Sequence, residues 1–395
     1  MLNYHVNLID NDLYKFTQQM AICRLYPKVK ARYSFINRDK REFPEGFSKR
    51  LQKIIDSFKD YRLTSEDKDF FLDKCYYMDP QYIDFLAGYR YDTNEVLIKQ
   101  NGPVLELIIE GYWYRTVLWE VPLMASISEL YFEMTNQFPY DVKELEVRNK
   151  NKAESIASVE ALYSEFGTRR RFSFKVQAQV VNNLKLYGLG HMLGTSNVFL
   201  AKMNDLVPHG TVAHEWFQAH AAMFGYLRGN IEALESWVKV YGGNLGMALP
   251  DTFTSDIFYK YAFNTKYAKL FDGVRQDSGD PINFIDRTVS HYKSLRIQPN
   301  LKTILFSDNI KSIDLIKEIK GALKLRDLND RPSDRYGIGT WLSNDVGVKP
   351  LNIVIKLTGL DFGHGWVDTV KISDSPTKHT GEPDAVKFCL ASLGL

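Results

Sequence analysis

The chain predicts an α/β fold: an irregular βα barrel domain preceded by an N-terminal antiparallel-sheet α+β domain. Three observations carry this. From residue 165 onward, the short apolar runs NLGMAL, FDGVR and TILFS are each followed by a polar or glycine-bearing turn and a helical pattern, and NIVIKL adds a fourth run. That alternation is the rhythm of βα units, which favours a parallel sheet or a barrel. Ahead of it, RYSFINR, VLIKQ, VLELIIEG and YRTVLWEV are rich in β-branched and aromatic residues and bounded by Gly102, Pro103 and Gly111, as antiparallel strands are. Finally, 395 residues exceed one ordinary compact domain and suit two. The division is expected near residue 140. Residues 1–140 form the sheet domain, with 360–395 a candidate addition to it, and 141–360 form the barrel-like catalytic domain.

Taken in order, Pro122 starts a helical stretch through Met134, and LEVRNKNKAESIASVEALYSEFG reads as one long helix ending at Gly167. Chemistry-bearing residues then sit just after the apolar runs: Asp251 and Thr252, Asp277 to Pro281, Ser307 and Asp308, and Thr358 with Gly359. In a closed βα barrel those positions are loops at the C-terminal rim, where substrate sites are built. An open doubly wound sheet puts them at a ligand crevice as well. The charged stretch from Ile319 to Arg335 reads as a solvated loop and helix end.

Composition excludes several classes. Hydrophobic residues at 45% and charged residues at 25% are globular values, against disorder or a fibrous design. A net charge of +2 supplies no overall field for nucleic acid or an anionic membrane, so anions must be bound by local clusters. Cys23, Cys75 and Cys389 are odd in number and widely spaced, which fits a reducing compartment without a disulfide framework. The opening MLNYHVNLIDNDLYKF lacks the basic flank and apolar run of a signal peptide. The most apolar region, Val104 to Ile127, is broken by Glu106, Glu110, Arg115 and Glu120 and is too charged to span a bilayer. A cytoplasmic location is expected.

VPHGTVAHEWFQAH places three histidines in a short span, with His214 where a loop runs into an aromatic-rich helix. Zinc binding in the zincin manner needs a second histidine at i+4, but Gln218 holds that place. His220 lies roughly 240° round the helix, at about 100° per residue, and points elsewhere. His214 is left as a nucleophile, a base, a phosphate ligand or a satisfied polar group. Arg169, Arg170 and Arg171 repel one another unless an anion or carboxylates collect them, and bidentate geometry suits Arg to phosphate. In DSGDP, Asp280 before Pro281 reads as an N-cap, which leaves Asp277, Ser278 and the preceding Arg275 for ribose hydroxyls, phosphate or Mg²⁺. GIGTW, with Gly337, Gly339 and Thr340, lets backbone amides approach a phosphate, and Ser307 with Asp308 can add to that cradle. Tyr14 offers an aromatic platform for a flat ring, or a core side chain.

In combination, DNDLYKF, EFGTRRRFS, LGTSNVFLAKMNDLVPHGTVAHEWFQAH, VRQDSGDP, ILFSDN, GIGTWLSND and KISDSPTKHTGEP resemble the nicotinate phosphoribosyltransferases, in the same order, from about residue 7 to near the C-terminus. The resemblance implies transfer of phosphoribosyl from phosphoribosyl pyrophosphate (PRPP) to nicotinate in NAD salvage, with ATP as cosubstrate and Mg²⁺ present. His214 then matches a transiently phosphorylated histidine, and Asp277 and Arg275 match catalytic groups on ribose and phosphate. Tyr14, Phe166, Ser196 and Arg169 match the nicotinate pocket. Arg169, Arg170, Arg171, Ser278, Ser307, Asp308, Gly337, Gly339 and Thr340 match the PRPP phosphate contacts. No protein-built metal cage is implied, only Mg²⁺ near Asp277. The partners implied are small molecules, not nucleic acid or membrane, on a monomer or homodimer. Relatives that use the amide carry aspartate where this chain has Ser196. A carboxylate there repels nicotinate by several kcal/mol at an effective dielectric of ~20, so Ser196 favours the acid.

Three rivals follow from the same residues. Nicotinamide as substrate is disfavoured by Ser196. A Schiff-base aldolase would use a strand-end lysine such as Lys356, and a non-catalytic nucleotide binder would not need His214, Asp277 and the arginines together.

Overall fold

A computed structural model describes residues 5–328, 334–375 and 379–395. The chain divides into two compact units, Met1–Gly210 with Ile338–Lys356, and Thr211–Gly337 with Leu357–Leu395.

In the first unit, β3 (Val104–Tyr112) pairs antiparallel with β1 (Lys30–Asn37) and with β2 (Val96–Asn101). Gly102, at φ +57, and Pro103 make the tight turn between β2 and β3. Leu105, Leu107 and Ile109 point inward while Glu106, Ile108 and Glu110 face out, the period-two alternation of a half-buried strand. The fourth expected strand, YRTVLWEV, is not one: Trp113–Thr116 and Glu120–Met134 are helical. Every residue from Glu120 to Phe132 is buried, so the apolar richness of this segment records a helix covered on all sides, not extended backbone.

The helix expected to reach Gly167 spans only Val142–Ser158. Glu160 takes the left-handed conformation at φ 54, and the Glu160 and Ala161 amides turn back to the Ala157 and Ile156 carbonyls at 2.9 and 3.3 Å. The remainder of that segment becomes β4 (Tyr163–Glu165), buried throughout. β4, β5 (Met192–Thr195) and β6 (Val207–Pro208) pair in parallel, with Glu165, Thr195 and Pro208 in register.

The second unit carries β7 (Met247–Ala248), β8 (Gly273–Gln276), β9 (Thr303–Phe306) and β10 (Asp334–Ile338), also parallel. Helices Ser255–Tyr261 and Thr265–Leu270, then Pro281–Ser294, then Ile313–Lys324 separate them, as parallel neighbours require. The fold is thus the expected mixed α/β class, parallel strands alternating with helices beside a separate antiparallel sheet. NIVIKL departs from the expectation. It opens β11 (Ile353–Asp361), which pairs antiparallel with β12 (Trp366–Asp368), so Thr358 and Gly359 lie inside an antiparallel strand. Lys356, within that strand, is not the barrel strand-end lysine of an aldolase.

Gln276, Phe306 and Tyr336 share a register row, so Asp277 and Ser307 leave β8 and β9 at one end, level with Gly337 in the last part of β10. Phe166, Ser196 and His209 do the same after Glu165, Thr195 and Pro208. Of the charged stretch from Ile319 to Arg335, Asp330 and Arg331 lie outside the described residues, and Arg326 pairs with Asp286 at 2.5 and 2.7 Å. No helix among the described residues is long and apolar enough to cross a membrane.

Candidate active site

The residues singled out in the sequence fall into two clusters, one in each unit. The first is built where helix Leu13–Leu25 begins. Asp12 occupies its N-cap position without capping it. Its carboxylate instead accepts from the Ser196 hydroxyl at 2.7 Å, while the Leu13 amide donates to the Ser196 carbonyl at 2.8 Å. The start of that helix is thereby tied to the end of β5. Tyr14 follows, and its hydroxyl donates to Glu120 at 2.9 Å. Lys15 pairs with the same carboxylate at 2.5 Å. Burial alone would raise the Glu120 pKa, yet the charges of Lys15 and Arg169 prevail and hold it down at about 2. The Arg169 guanidinium lies 5.8 Å from the Tyr14 ring centre, 3.4 Å from Glu120 and 3.9 Å from Asp12. Phe166 is partly exposed at the end of β4, its amide bonded to the Ile338 carbonyl. Tyr14, Ser196 and Arg169 are therefore joined through Asp12 and Glu120.

The arginine triplet does not act as one patch. Arg169 keeps about a third of its side chain exposed, its exposure being 36%. Arg170 donates to the Ile353 carbonyl at 3.0 Å, and burial, with Arg169 and Arg38 nearby, lowers its pKa to about 10. Arg171 is fully buried and grips Asp10 with two bonds of 2.8 and 2.9 Å. That pair takes Arg171 out of the phosphate contact expected of it; the carboxylates that collect a crowded guanidinium are here internal. A Cβ on Gly167 would stand 1.9 Å from the Ser343 hydroxyl, so only glycine fits the turn that delivers Arg169.

The second cluster centres on His214, first residue of helix His214–Phe224 and buried. Its Nδ1 is 2.9 Å from the Thr252 hydroxyl. Its Nε2 is 2.9 Å from Asp277 Oδ2 and 2.8 Å from the Lys371 ammonium, with Asp251 at 3.6 Å. One ring nitrogen thus has an acceptor and a donor as claimants, and the tautomer decides between them. With the proton on Nδ1, the ring donates to Thr252 and Nε2 presents a lone pair. Burial first, then Lys371, pushes the His214 pKa down to about 4. Asp277 stays ionised despite burial, because the Arg275 guanidinium holds its pKa well below the ordinary carboxylate value.

Arg275 is clamped in place. It donates to Asp277 at 2.7 Å, to Ser307 at 2.7 Å and to Thr211 at 2.9 Å. The Ser307 hydroxyl lies 3.0 Å from both Asp277 Oδ1 and the Gln276 carbonyl and donates to one of them. Ser278, expected to meet phosphate, is buried inside the turn, donating to Asp251 at 2.5 Å and accepting the Asp374 amide at 3.1 Å. Asp308 accepts from Asn309 at 2.8 Å. Gly337 lies in β10, and Gly339 precedes the single turn Thr340–Ser343, where a Cβ would stand 3.3 Å from the Phe166 carbonyl. Asp280 caps helix Pro281–Ser294 through the Asn283 amide, as the Asp-Pro pair predicts. His220 is a core residue, bonded to the Trp216 carbonyl and packed on the Trp216 ring.

Sequence reasoning gave no role to Lys15, Glu120, Lys371 or Thr211. Glu120 had a readable signal, a carboxylate at the head of an apolar helix. Lys371 opens the quoted motif KISDSPTKHTGEP, but it stands 157 positions along the chain from His214, and only tertiary structure brings the two together.

In the second unit, parallel strand ends bring together a neutral imidazole, an ionised carboxylate and a clamped arginine, as the site of an α/β enzyme does. Residues 162–391 match the model of the nicotinate phosphoribosyltransferase (NAPRTase) family, and residues 9–128 match its N-terminal domain. The chain is 46% identical over 390 residues to the nicotinate phosphoribosyltransferase of Desulforapulum autotrophicum, and 45% over 390 residues to that of Chromohalobacter salexigens, each alignment covering 98% of both proteins. The crystal structure of nicotinate phosphoribosyltransferase from Porphyromonas gingivalis matches with a TM-score of 0.95 at 39% identity, over 99% of this chain and 100% of that one. The chain belongs to the nicotinate phosphoribosyltransferase family.

Proposed function

We propose that this chain transfers phosphoribosyl from PRPP to nicotinate and couples the transfer to ATP hydrolysis through a phosphohistidine at His214. The observation that carries the coupling is the state of that ring: buried, neutral above a pKa of about 4, and able to hold its proton on Nδ1 against Thr252. The Nε2 lone pair attacks the γ-phosphorus of ATP. An N–P bond forms, the P–O bond to ADP breaks, and ADP leaves with the electron pair. Water later releases the phosphoryl group as inorganic phosphate.

In the transfer itself, the pyridine nitrogen of nicotinate bonds to C1′ of the ribose as the C1′–O bond to pyrophosphate breaks. The leaving group gathers negative charge and the sugar becomes oxocarbenium-like, so fixed cations matter more than a covalent partner. Arg275, held by three hydrogen bonds, is preorganised for that task, and Asp277 is kept ionised to face a ribose hydroxyl or a developing positive charge. Nicotinate is assigned to Tyr14, Phe166, Ser196 and Arg169. Because Asp12 accepts the Ser196 proton, the pocket already holds one carboxylate, and Arg169 supplies the charge that lets it accept a second from the ligand. PRPP phosphates are assigned to Arg169, Arg170, Ser307, Asp308, Gly337, Gly339 and Thr340. A ligase-type coupling and a cytoplasmic location belong to the same reading.

The test is stoichiometry. With PRPP and nicotinate, ADP and nicotinate mononucleotide should form in a fixed ratio near one, and His214→Asn should abolish ADP formation while leaving slow, ATP-independent transfer. ADP formation surviving in that variant removes His214 from its role.

A further inference from the structure

The ligand atoms of His214, Asp251 and Asp277 lie within 4.8 Å of one another. His214 Nε2 stands 2.9 Å from Asp277 and 3.6 Å from Asp251. An ion about 2.1 Å from each of three such donors would hold them roughly 3 Å apart, so spacing and donor type both suit a divalent cation. The fourth member of the cluster does not. Lys371 is buried, with Nζ 2.8 Å from the same imidazole nitrogen and 3.7 Å from Asp251. Its ammonium claims the lone pair and the carboxylate that a metal would need. Charge leads to the same place: Lys371 and Arg275 balance Asp251 and Asp277 around a neutral ring, so a dication would arrive as uncompensated charge beside an ammonium.

We propose that Lys371 is the built-in cation of this cluster, standing where a divalent metal would otherwise bind, and that Mg²⁺ enters with the polyphosphate substrates instead of on His214, Asp251 and Asp277. The inference rests on the reading of His214 as a phosphoryl acceptor. A metal coordinated to Nε2 would withhold the lone pair that must reach phosphorus. An ammonium gives up a hydrogen bond as phosphorus approaches and then donates to the oxygens of the transferred group. Lys371 is on this account a positioning residue, holding Nε2 as the unprotonated nitrogen.

Cobalt titration of the full chain, followed by visible absorption, tests this without using activity. The wild type should show no cobalt band that His214→Asn removes. Lys371→Met should bind one equivalent of Co²⁺ more than the wild type, and adding Asp251→Asn or His214→Asn should weaken that binding at least tenfold. A wild-type cobalt band that disappears in His214→Asn overturns the proposal, and so does a folded Lys371→Met chain without the extra ion. Circular dichroism establishes folding, and Lys371→Gln keeps the test decisive if the methionine variant fails to fold. Phosphate labelling of His214 is scored separately. Loss of label with the cobalt results intact refutes only the phosphohistidine, and the reverse refutes only the role of Lys371.

Discussion

At the scale of single residues, His214 shows how a side chain is set for nucleophilic work. Burial disfavours its cation and Lys371 adds like-charge repulsion, so both leading influences keep the ring neutral, while Asp251 and Asp277 pull the other way and lose. An ordinary imidazole is half protonated near pH 6.5. Here protonation sets in near pH 4, so the rate of ADP formation at saturating ATP should stay level from pH 8 to about 5 and fall only below that. A midpoint near 6.5, moved by Lys371→Met, would contradict the placement of the ring. In the other cluster, Ser196 donates to Asp12, and Ser196→Asp would set a second carboxylate against the first. That variant should lower kcat/KM for nicotinate by about 100-fold, roughly 3 kcal/mol, and raise the relative use of nicotinamide. Competition assays with the acid and the amide measure the ratio, and an unchanged ratio would remove Ser196 from specificity.

At the scale of elements, the turn after β4 depends on Gly167. Gly167→Ala would bring a methyl carbon to within 1.9 Å of the Ser343 hydroxyl and 2.5 Å of its Cβ. Relief requires moving either the turn or the helix Thr340–Ser343, at a cost of about 1–3 kcal/mol, read from urea unfolding midpoints. KM for nicotinate should rise with it, because Arg169 rides on the same turn. Where local chemistry decides structure, the elements were legible in the sequence: the βα rhythm from β7 to β10, the Asp280-Pro281 cap and the Gly102-Pro103 turn. They were illegible where an apolar run has no period of its own. YRTVLWEV is split between one helical turn, a buried bend and the start of helix Glu120–Met134, and NIVIKL opens a strand whose sheet neighbours, β1 and β12, no spacing reveals. The long helix ended early at Glu160, whose left-handed turn carries no glycine to announce it.

At the scale of the whole molecule, buried charge is structural as well as functional. Asp10 and Arg171, 161 residues apart, form a pair with no exposure on either side. Asp10→Ala would leave a guanidinium buried without its partner, and should destabilise the fold by about 3–5 kcal/mol in chemical unfolding. Glu165 makes the opposite contribution to pH dependence. Burial raises its pKa to about 7, so between its ordinary value of 4.5 and 7 the folded chain holds a proton the unfolded chain has lost. Stability should therefore decline as pH rises through that window and level off above it, and Glu165→Gln should flatten the decline. The residue types at the sites were readable as motifs, but their division was not. One arginine of the triplet serves the core, and a lysine far along the chain completes the histidine cluster. The most direct test is mass spectrometry of the chain after brief incubation with γ-labelled ATP and alkaline quench. The account predicts one acid-labile, base-stable phosphate on the peptide containing His214, absent in His214→Asn. A phosphate carried by any other residue, or none with ADP still forming, would contradict it.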